Sequence, residues 1–220
     1  MISLDHISFR YPKSEKNILD GAGAVFEKGK MYAITGPSGS GKSTLLSLIA
    51  GIEVPQEGEI RIDGSRIDRD AIRKHNIAFV FQNYMLFPYL NAVENVDLAV
   101  DIRVPKKAGC RKDTKELLTS LGIREQDLKR KVCKLSGGEQ QRVGIARALA
   151  LGAPYILADE PTGNLDRETA EKIIRLLGRI THRENKCLIV VTHSEAVRDS
   201  ADEAFALVDG RLLRQEKAHG

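Results

Sequence analysis

The chain has 220 residues, with 34 Lys plus Arg against 30 Asp plus Glu and a formal net charge of +4. At roughly 150 residues per domain, this is one large domain or a core with a smaller lobe, long enough to bury about 70% of its unfolded surface. A 42% hydrophobic and 29% charged composition excludes collagen-like, disordered and disulfide-framework chains, and the length leaves no room for long chromosome-organising arms. No window approaches the ~20 consecutive apolar residues of a transmembrane helix. The start, Met1-Ile2-Ser3-Leu4-Asp5-His6, has an early acid where a signal peptide has a basic start and a long apolar stretch, so secretion is not expected. Cys110, Cys133 and Cys187 are odd in number and far apart. They form no metal pair or disulfide framework and read as reduced thiols of a cytosolic chain. So mild a charge neither requires nucleic acid nor excludes a basic patch.

In chain order, residues 2–10 alternate Ile, Leu, Ile and Phe with polar residues, as a half-buried strand does. Residues 25–27, 59–62 and 77–82 look similar, with turns at Glu27-Lys28-Gly29-Lys30 and Asp63-Gly64. From about Phe87 the spacing becomes helical, over 91–98, 109–121, 124–130 and 137–150. After Pro154, an apolar strand at 155–158, a helix at about 166–183 and an apolar strand at 187–192 follow, with a further strand at 204–208. Short apolar runs alternating with amphipathic helices imply a parallel sheet covered on both faces. The expectation is an α/β core, an antiparallel β portion near the start, and a helical lobe between about 84 and 150. His6, His75, His182 and His219 read as surface residues.

Gly36-Pro37-Ser38-Gly39-Ser40-Gly41-Lys42-Ser43-Thr44 fits the phosphate-loop pattern of Gly, four residues, Gly-Lys-Ser. A strand precedes it at 31–35, and a helix is under way by Leu45. The glycines let N–H groups point inward as a nest for anionic oxygens, and the helix N-terminus adds about half a positive charge. Lys42 can reach the β- and γ-phosphates, Ser43 can ligate Mg²⁺, and Thr44 can donate to the α-phosphate. The apolar strand Tyr155-Ile156-Leu157-Ala158 ends at Asp159-Glu160, and open α/β sheets bind ligands at such ends. Asp159 is placed to hold Mg²⁺. Glu160, one residue on, is expected on the other strand face, where it could polarise an attacking water as general base.

Leu135-Ser136-Gly137-Gly138-Glu139-Gln140-Gln141-Arg142 resembles the signature motif of the ATP-binding cassette (ABC) proteins. Its serine and glycines open a helix and so offer a second phosphate site. The resemblance runs from Tyr11 to His193 with all motifs in order. It implies a P-loop NTPase (RecA-like) parallel-sheet core with an antiparallel β subdomain and an inserted α-helical subdomain. Residues 1–83 and 151–220 would form the core, and 84–150 the helical part. It implies that Tyr11 stacks on adenine, that Gln82 contacts Mg²⁺ and the attacking water, and that His193 contacts the γ-phosphate. Gly36, Ser38, Gly39, Ser40, Gly41, Lys42, Ser43 and Thr44 would hold the phosphates. Ser136, Gly137, Gly138 and Glu139 would close on the nucleotide of a facing subunit. Ser43, Gln82 and Asp159 would serve Mg²⁺.

In family terms the chain would be an ATPase using ATP and Mg²⁺, forming a homodimer or pairing with another ATPase subunit, and driving a separately encoded transmembrane permease in a transporter or mechanotransmission complex. It would sit on the cytoplasmic membrane face, with no nucleic acid expected. Pro161-Thr162-Gly163-Asn164-Leu165-Asp166 occupies the loop that crosses the dimer interface. Its Gly-Asn-Leu-Asp, where many members have Ser-Ala-Leu-Asp, resembles the macrolide-export, lipoprotein-release, antimicrobial-peptide and cell-division branch. Met85-Leu86-Phe87-Pro88-Tyr89 is expected to help form a groove for a membrane-subunit helix, or else to pack in the core. A soluble ABC ATPase serving a non-transport assembly process stays open as the alternative, as does import against export.

Overall fold

The computed structural model describes residues 1–12, 14–67, 77–103 and 114–216. Two sheets carry the chain. A four-stranded antiparallel sheet has the order β2-β1-β4-β5, with β1 Ile2–Phe9, β2 Leu19–Phe26, β4 Glu57–Ile62 and β5 Ser65–Arg66. A six-stranded sheet has the order β10-β9-β3-β8-β7-β6. Its strands are β3 Lys30–Thr35, β6 Ile77–Val80, β7 Tyr155–Asp159, β8 Cys187–Val191, β9 Glu203–Val208 and β10 Arg211–Gln215. All its pairings are parallel except that of β9 with β10.

The period of two along the central strands builds both faces of the core. Met31 and Ala33 of β3 join one apolar cluster, while Tyr32 and Ile34 join the other. Strands β7 and β8 are buried throughout, which is why they read as apolar runs rather than alternating ones. On one face, helix α1 (Lys42–Ile49) lies between the two sheets and buries Leu45, Leu46, Leu48 and Ile49 against both. On the other face lie α2 (Ala92–Arg103), α3 (Thr114–Ser120), α4 (Gly137–Ala150), α5 (Arg167–Arg183) and α6 (Glu195–Ser200). Val96, Leu118 and Val143 from α2, α3 and α4 share a cluster with Ala78, Val80 and Ile156 of the sheet.

Several elements differ from the sequence-based expectation. The strand expected at 25–27 begins at Leu19; its Gly and Ala residues carry little apolar signal, although Leu19 and Ala22 are buried. The helix expected at 124–130 is a 3₁₀ turn, Glu125–Asp127. There the buried Asp127 accepts from Arg124 at 2.8 Å, and the backbone bonds run from residue i to i+3. The strand expected to 82 ends at Val80, leaving Gln82 in a turn. Strand β10 and helix α6 were not anticipated. Residues 109–113 of one expected helix, together with Cys110, His75 and His219, lie outside the described residues. His6 and His182 are exposed, as expected, and pair with Asp5 and Asp202.

A polar contact helps join the two sheets. Tyr155, fully buried at the start of β7, donates to Asp63 Oδ1 at 2.6 Å, and Asp63 lies in the turn after β4. Lys28 Nζ lies 3.0 Å from Asp63 Oδ2. Burial works to raise the Asp63 pKa, but hydrogen bonds from the N-terminal ammonium, Tyr155 and Lys28 outweigh it and hold the carboxyl below the usual range. A carboxyl depressed in the folded state stabilises above its unfolded pKa, and that contribution is lost as pH falls through the folded value. Asp63→Asn is therefore expected to flatten the decline of stability below roughly pH 4. Tyr155→Phe is expected to cost about 1–2 kcal/mol at neutral pH. Urea unfolding measured across pH checks both.

Candidate nucleotide-binding site

The parallel strands β3, β8, β7 and β6 are neighbours, and their register aligns their C-terminal ends: Ile34 pairs with Val191, Val191 with Asp159 and Val80 with Ala158. The phosphate loop leaves β3, His193 follows β8, Asp159-Glu160 end β7, and Gln82 follows β6. A cavity of about 630 Å³ opens along this edge. Ser38, Gly39, Gly41, Lys42, Ser43 and Thr44 of the loop line it together with Gln82, Asp159, Glu160, His193 and Tyr11.

Helix α1 begins at Lys42, earlier than the apolar run suggested, so Lys42, Ser43 and Thr44 form its first turn. Its N-cap, Gly41, makes no side-chain cap, and first-turn N–H groups have no partner within the helix. Gly41 adopts φ +97°, and a Cβ there would lie 2.4 Å from Ile18 Cγ2. Only glycine lets the loop curl this tightly. Gly36 and Ser40 shape the loop from behind and do not line the cavity wall. The buried Ser40 hydroxyl has no hydrogen-bond partner. Lys42 is buried and folds back on the loop, donating to the carbonyls of Gly36 at 2.9 Å and Pro37 at 2.8 Å. Burial lowers its pKa, and Glu160 and Asp159 oppose that. Tyr11 is partly exposed, meets Phe9 edge-on at 5.1 Å, and its hydroxyl lies 3.3 Å from Thr44 Oγ1. Its ring face is a platform for a base.

The acidic pair differs from expectation. Glu160 takes φ +47°, leaving strand geometry at the residue after Asp159. Strand alternation therefore no longer applies, and both carboxylates line the same cavity instead of opposite faces. His193 Nε2 lies 3.4 Å from Glu160 Oε1, close enough to attract, but the buried Oε1 makes no hydrogen bond. Burial raises the Glu160 carboxyl pKa; His193 and Lys42 pull it down and Asp159 pushes it up. An orphaned carboxylate oxygen of raised pKa is equipped to take a proton from water. The Ser43 hydroxyl, Asp159 carboxylate and Gln82 amide are hard oxygen donors and fit Mg²⁺, which takes a few protein oxygens together with phosphate oxygens and water.

Ser136, Gly137, Gly138 and Glu139 do not line this cavity. Ser136 caps α4: its Oγ accepts from Glu139 N at 3.3 Å, and Glu139 Oε2 accepts from Ser136 N at 2.8 Å. That backbone hydrogen bond leads the causes holding the Glu139 pKa down. Ser136 and Gly137 are exposed. Ile18, Gly163 and Asn164 also line the cavity. Ile18 carries no mark in the sequence, whereas the motif containing Gly163 and Asn164 points only to the dimer interface. Gly41→Ala is expected to weaken ATP binding about tenfold through roughly 1–3 kcal/mol of backbone strain; titration with a fluorescent ATP analogue checks it.

Residues 19–163 match the family described as ABC transporter, over more than half of the chain. The chain is 38% identical to the ABC transporter ATP-binding protein YclH of Bacillus subtilis, over 98% of this chain and 97% of that one. It is 42% identical to YbbA of Escherichia coli, over 93% and 91%. It is also 41% identical to MJ0796 of Methanocaldococcus jannaschii, over 100% and 98%. The fold superposes on MJ0796, solved as a dimer in a post-hydrolysis state bound to ADP and Pi, with a TM-score of 0.90, 38% identity and full coverage of both chains. With its phosphate loop, strand-end carboxylates and signature helix in one P-loop NTPase fold, the chain belongs to the ABC transporter family as an ATP-binding protein.

Proposed function

We propose that this chain is the ATP-hydrolysing subunit of an ABC transporter or mechanotransmission complex, acting as a dimer around two ATP and driving a separate membrane subunit. The observation that carries the reading is the division of the phosphate-binding groups. Lys42, Ser43, Gln82, Asp159, Glu160 and His193 meet in one cavity, while Ser136 and Gly137 are exposed outside it. A symmetric pair can bring each Ser136 motif onto the partner's nucleotide. Neither half then encloses the γ-phosphate alone, and hydrolysis depends on closure.

In this reading Tyr11 stacks on adenine and Gly36 to Thr44 wrap the phosphates. Ser43, Asp159 and Gln82 would hold Mg²⁺, which when bound would neutralise phosphate charge. Lys42 and His193, with the hydroxyl and N–H groups of the partner's Ser136, Gly137 and Gly138, add the remaining neutralisation that phosphoryl transfer requires, and the partner's Glu139 holds Ser136 in place through the capping box. Glu160 takes the proton of the attacking water, which Gln82 orients.

We assign residues 1–83 and 151–220 to the catalytic core and 84–150 to a helical part that moves as a unit. Beside Gln82, the exposed Met85 and Phe87 line a groove of about 550 Å³ with Phe79, Phe81, Ile102 and Leu151. Its apolar walls suit a helix of the membrane subunit. Among the described residues no helix is long and apolar enough to cross a membrane. As the ATPase partner of a separate membrane subunit, the chain would act from the cytoplasmic face. The Gly163-Asn164-Leu165-Asp166 loop points to the branch that includes lipoprotein-releasing and cell-division ATPases.

Glu160→Gln is expected to bind ATP normally, to lose about 10²–10⁴ in turnover, and to favour an ATP-dependent dimer; phosphate release and sizing chromatography check this, and wild-type turnover would overturn the assignment. Because the working form of Glu160 is the carboxylate and burial raises its pKa, turnover should rise with pH through a limb above the ordinary carboxylate value of about 4.3. A pH–rate profile measures it. Lys42→Ala is expected to lower ATP affinity about 10–100-fold, read by calorimetric titration.

A further inference from the structure

Glu160 occupies a left-handed backbone conformation at φ +47°, which costs on the order of 1–3 kcal/mol for a residue with a side chain. Its surroundings must therefore hold it there. Glu160 N donates to Val191 O at 3.0 Å, tying one side to β8. The other side is held from outside the strands. Gln141, in the second turn of α4 and almost wholly buried, donates from Nε2 to the Glu160 carbonyl at 2.8 Å. Its Oε1 accepts from Asn164 N at 3.2 Å. One side-chain amide thus spans the Glu160–Asn164 loop, using a donor and an acceptor at once.

We infer that Gln141 is a positioning residue for hydrolysis: its amide clamps the backbone on the C-terminal side of Glu160, so that α4 sets where the Glu160 carboxylate points. The inference rests on the proposed role of Glu160. Gln141 is absent from the cavity wall, so its effect passes through the loop. The same loop is held a second time from the helical part, because Asn164 Nδ2 donates to the Tyr84 hydroxyl and Arg147 of α4 donates to the Tyr84 carbonyl at 2.8 Å. A shift of α4 therefore carries the loop, and with it the aim of the carboxylate. The signature helix does two jobs in one stretch: Ser136 faces outward, while Gln141, five residues on, faces inward to the loop behind Glu160.

The test uses the full chain with Gln141→Met, which keeps the length but removes both polar atoms, and Gln141→Glu, which keeps the acceptor for Asn164 N and loses the donor to the Glu160 carbonyl. ATP affinity, melting temperature and turnover are measured for each. The expected result is unchanged ATP affinity with turnover lowered up to about a hundredfold, the scale of a misaligned catalytic group. In a Glu160→Gln background, Gln141→Glu is expected to cause no further loss, because it acts through the group already removed. The buried polar character kept by Gln141→Glu leaves the experiment readable if Gln141→Met fails to fold. Unchanged turnover in a folded Gln141 variant overturns the inference. So does a loss of ATP affinity matching the loss of turnover, which marks a merely structural residue, or additive losses in the double variant. Full activity of Glu160→Gln alone instead overturns the role of Glu160 itself.

Discussion

The parallel register of β3, β8, β7 and β6 is the constraint on which the rest of the molecule depends. Parallel hydrogen bonding keeps strand directions common, so every loop leaving a C-terminal end emerges on the same edge. Because Ile34, Val191 and Asp159 lie in one paired row and Ala158 with Val80 in the next, groups more than a hundred residues apart in sequence meet around one cavity. The core on both faces makes that register costly to slip, since a one-residue shift would exchange Tyr32 and Ile34 with Met31 and Ala33 between two differently shaped clusters.

On this frame the site spends local strain. Gly36, Gly39 and Gly41 curl the phosphate loop with positive φ, where glycine is favoured, but Glu160 takes a left-handed conformation with a full side chain. That bend turns the carboxylate into the cavity containing Asp159, and the contacts from β8 and α4 keep it there. Burial then biases Glu160 toward holding a proton while His193 and Lys42 limit that bias. The balance suits a group that must be ionised yet still basic enough to accept a proton.

The helical region is joined to this edge by polar contacts as well as by the shared apolar cluster. Tyr84, Arg147, Gln141 and Asn164 form a continuous set of hydrogen bonds from the turn after Gln82, through α4, to the loop after Glu160. The apolar groove containing Met85 and Phe87 borders the same turn. The exposed groove, the signature helix and the strand-end carboxylate are thus in mechanical contact within one chain.

Much of this was legible in the sequence for a simple reason: motifs whose chemistry is local are written locally. Gly36 to Thr44 needs only glycines, a lysine and a hydroxyl in fixed order, and Ser136 with Glu139 forms its capping box within one turn. Buried parallel strands declare themselves as apolar runs. The less legible parts depend on distant partners. Leu19 to Ala24 looks featureless because its strand is made by pairing with β1 rather than by its own side chains. Residues 124–130 have helical spacing but turn inward to satisfy Asp127. The orientation of Glu160 could not follow from strand alternation, because alternation ends with the strand and the next backbone angle is set by β8 and α4. The sequence by itself determined which groups can bind and activate a triphosphate. Only the tertiary structure decided which of them face one another, because that choice is made by strand register and by a buried amide nineteen residues away in the chain.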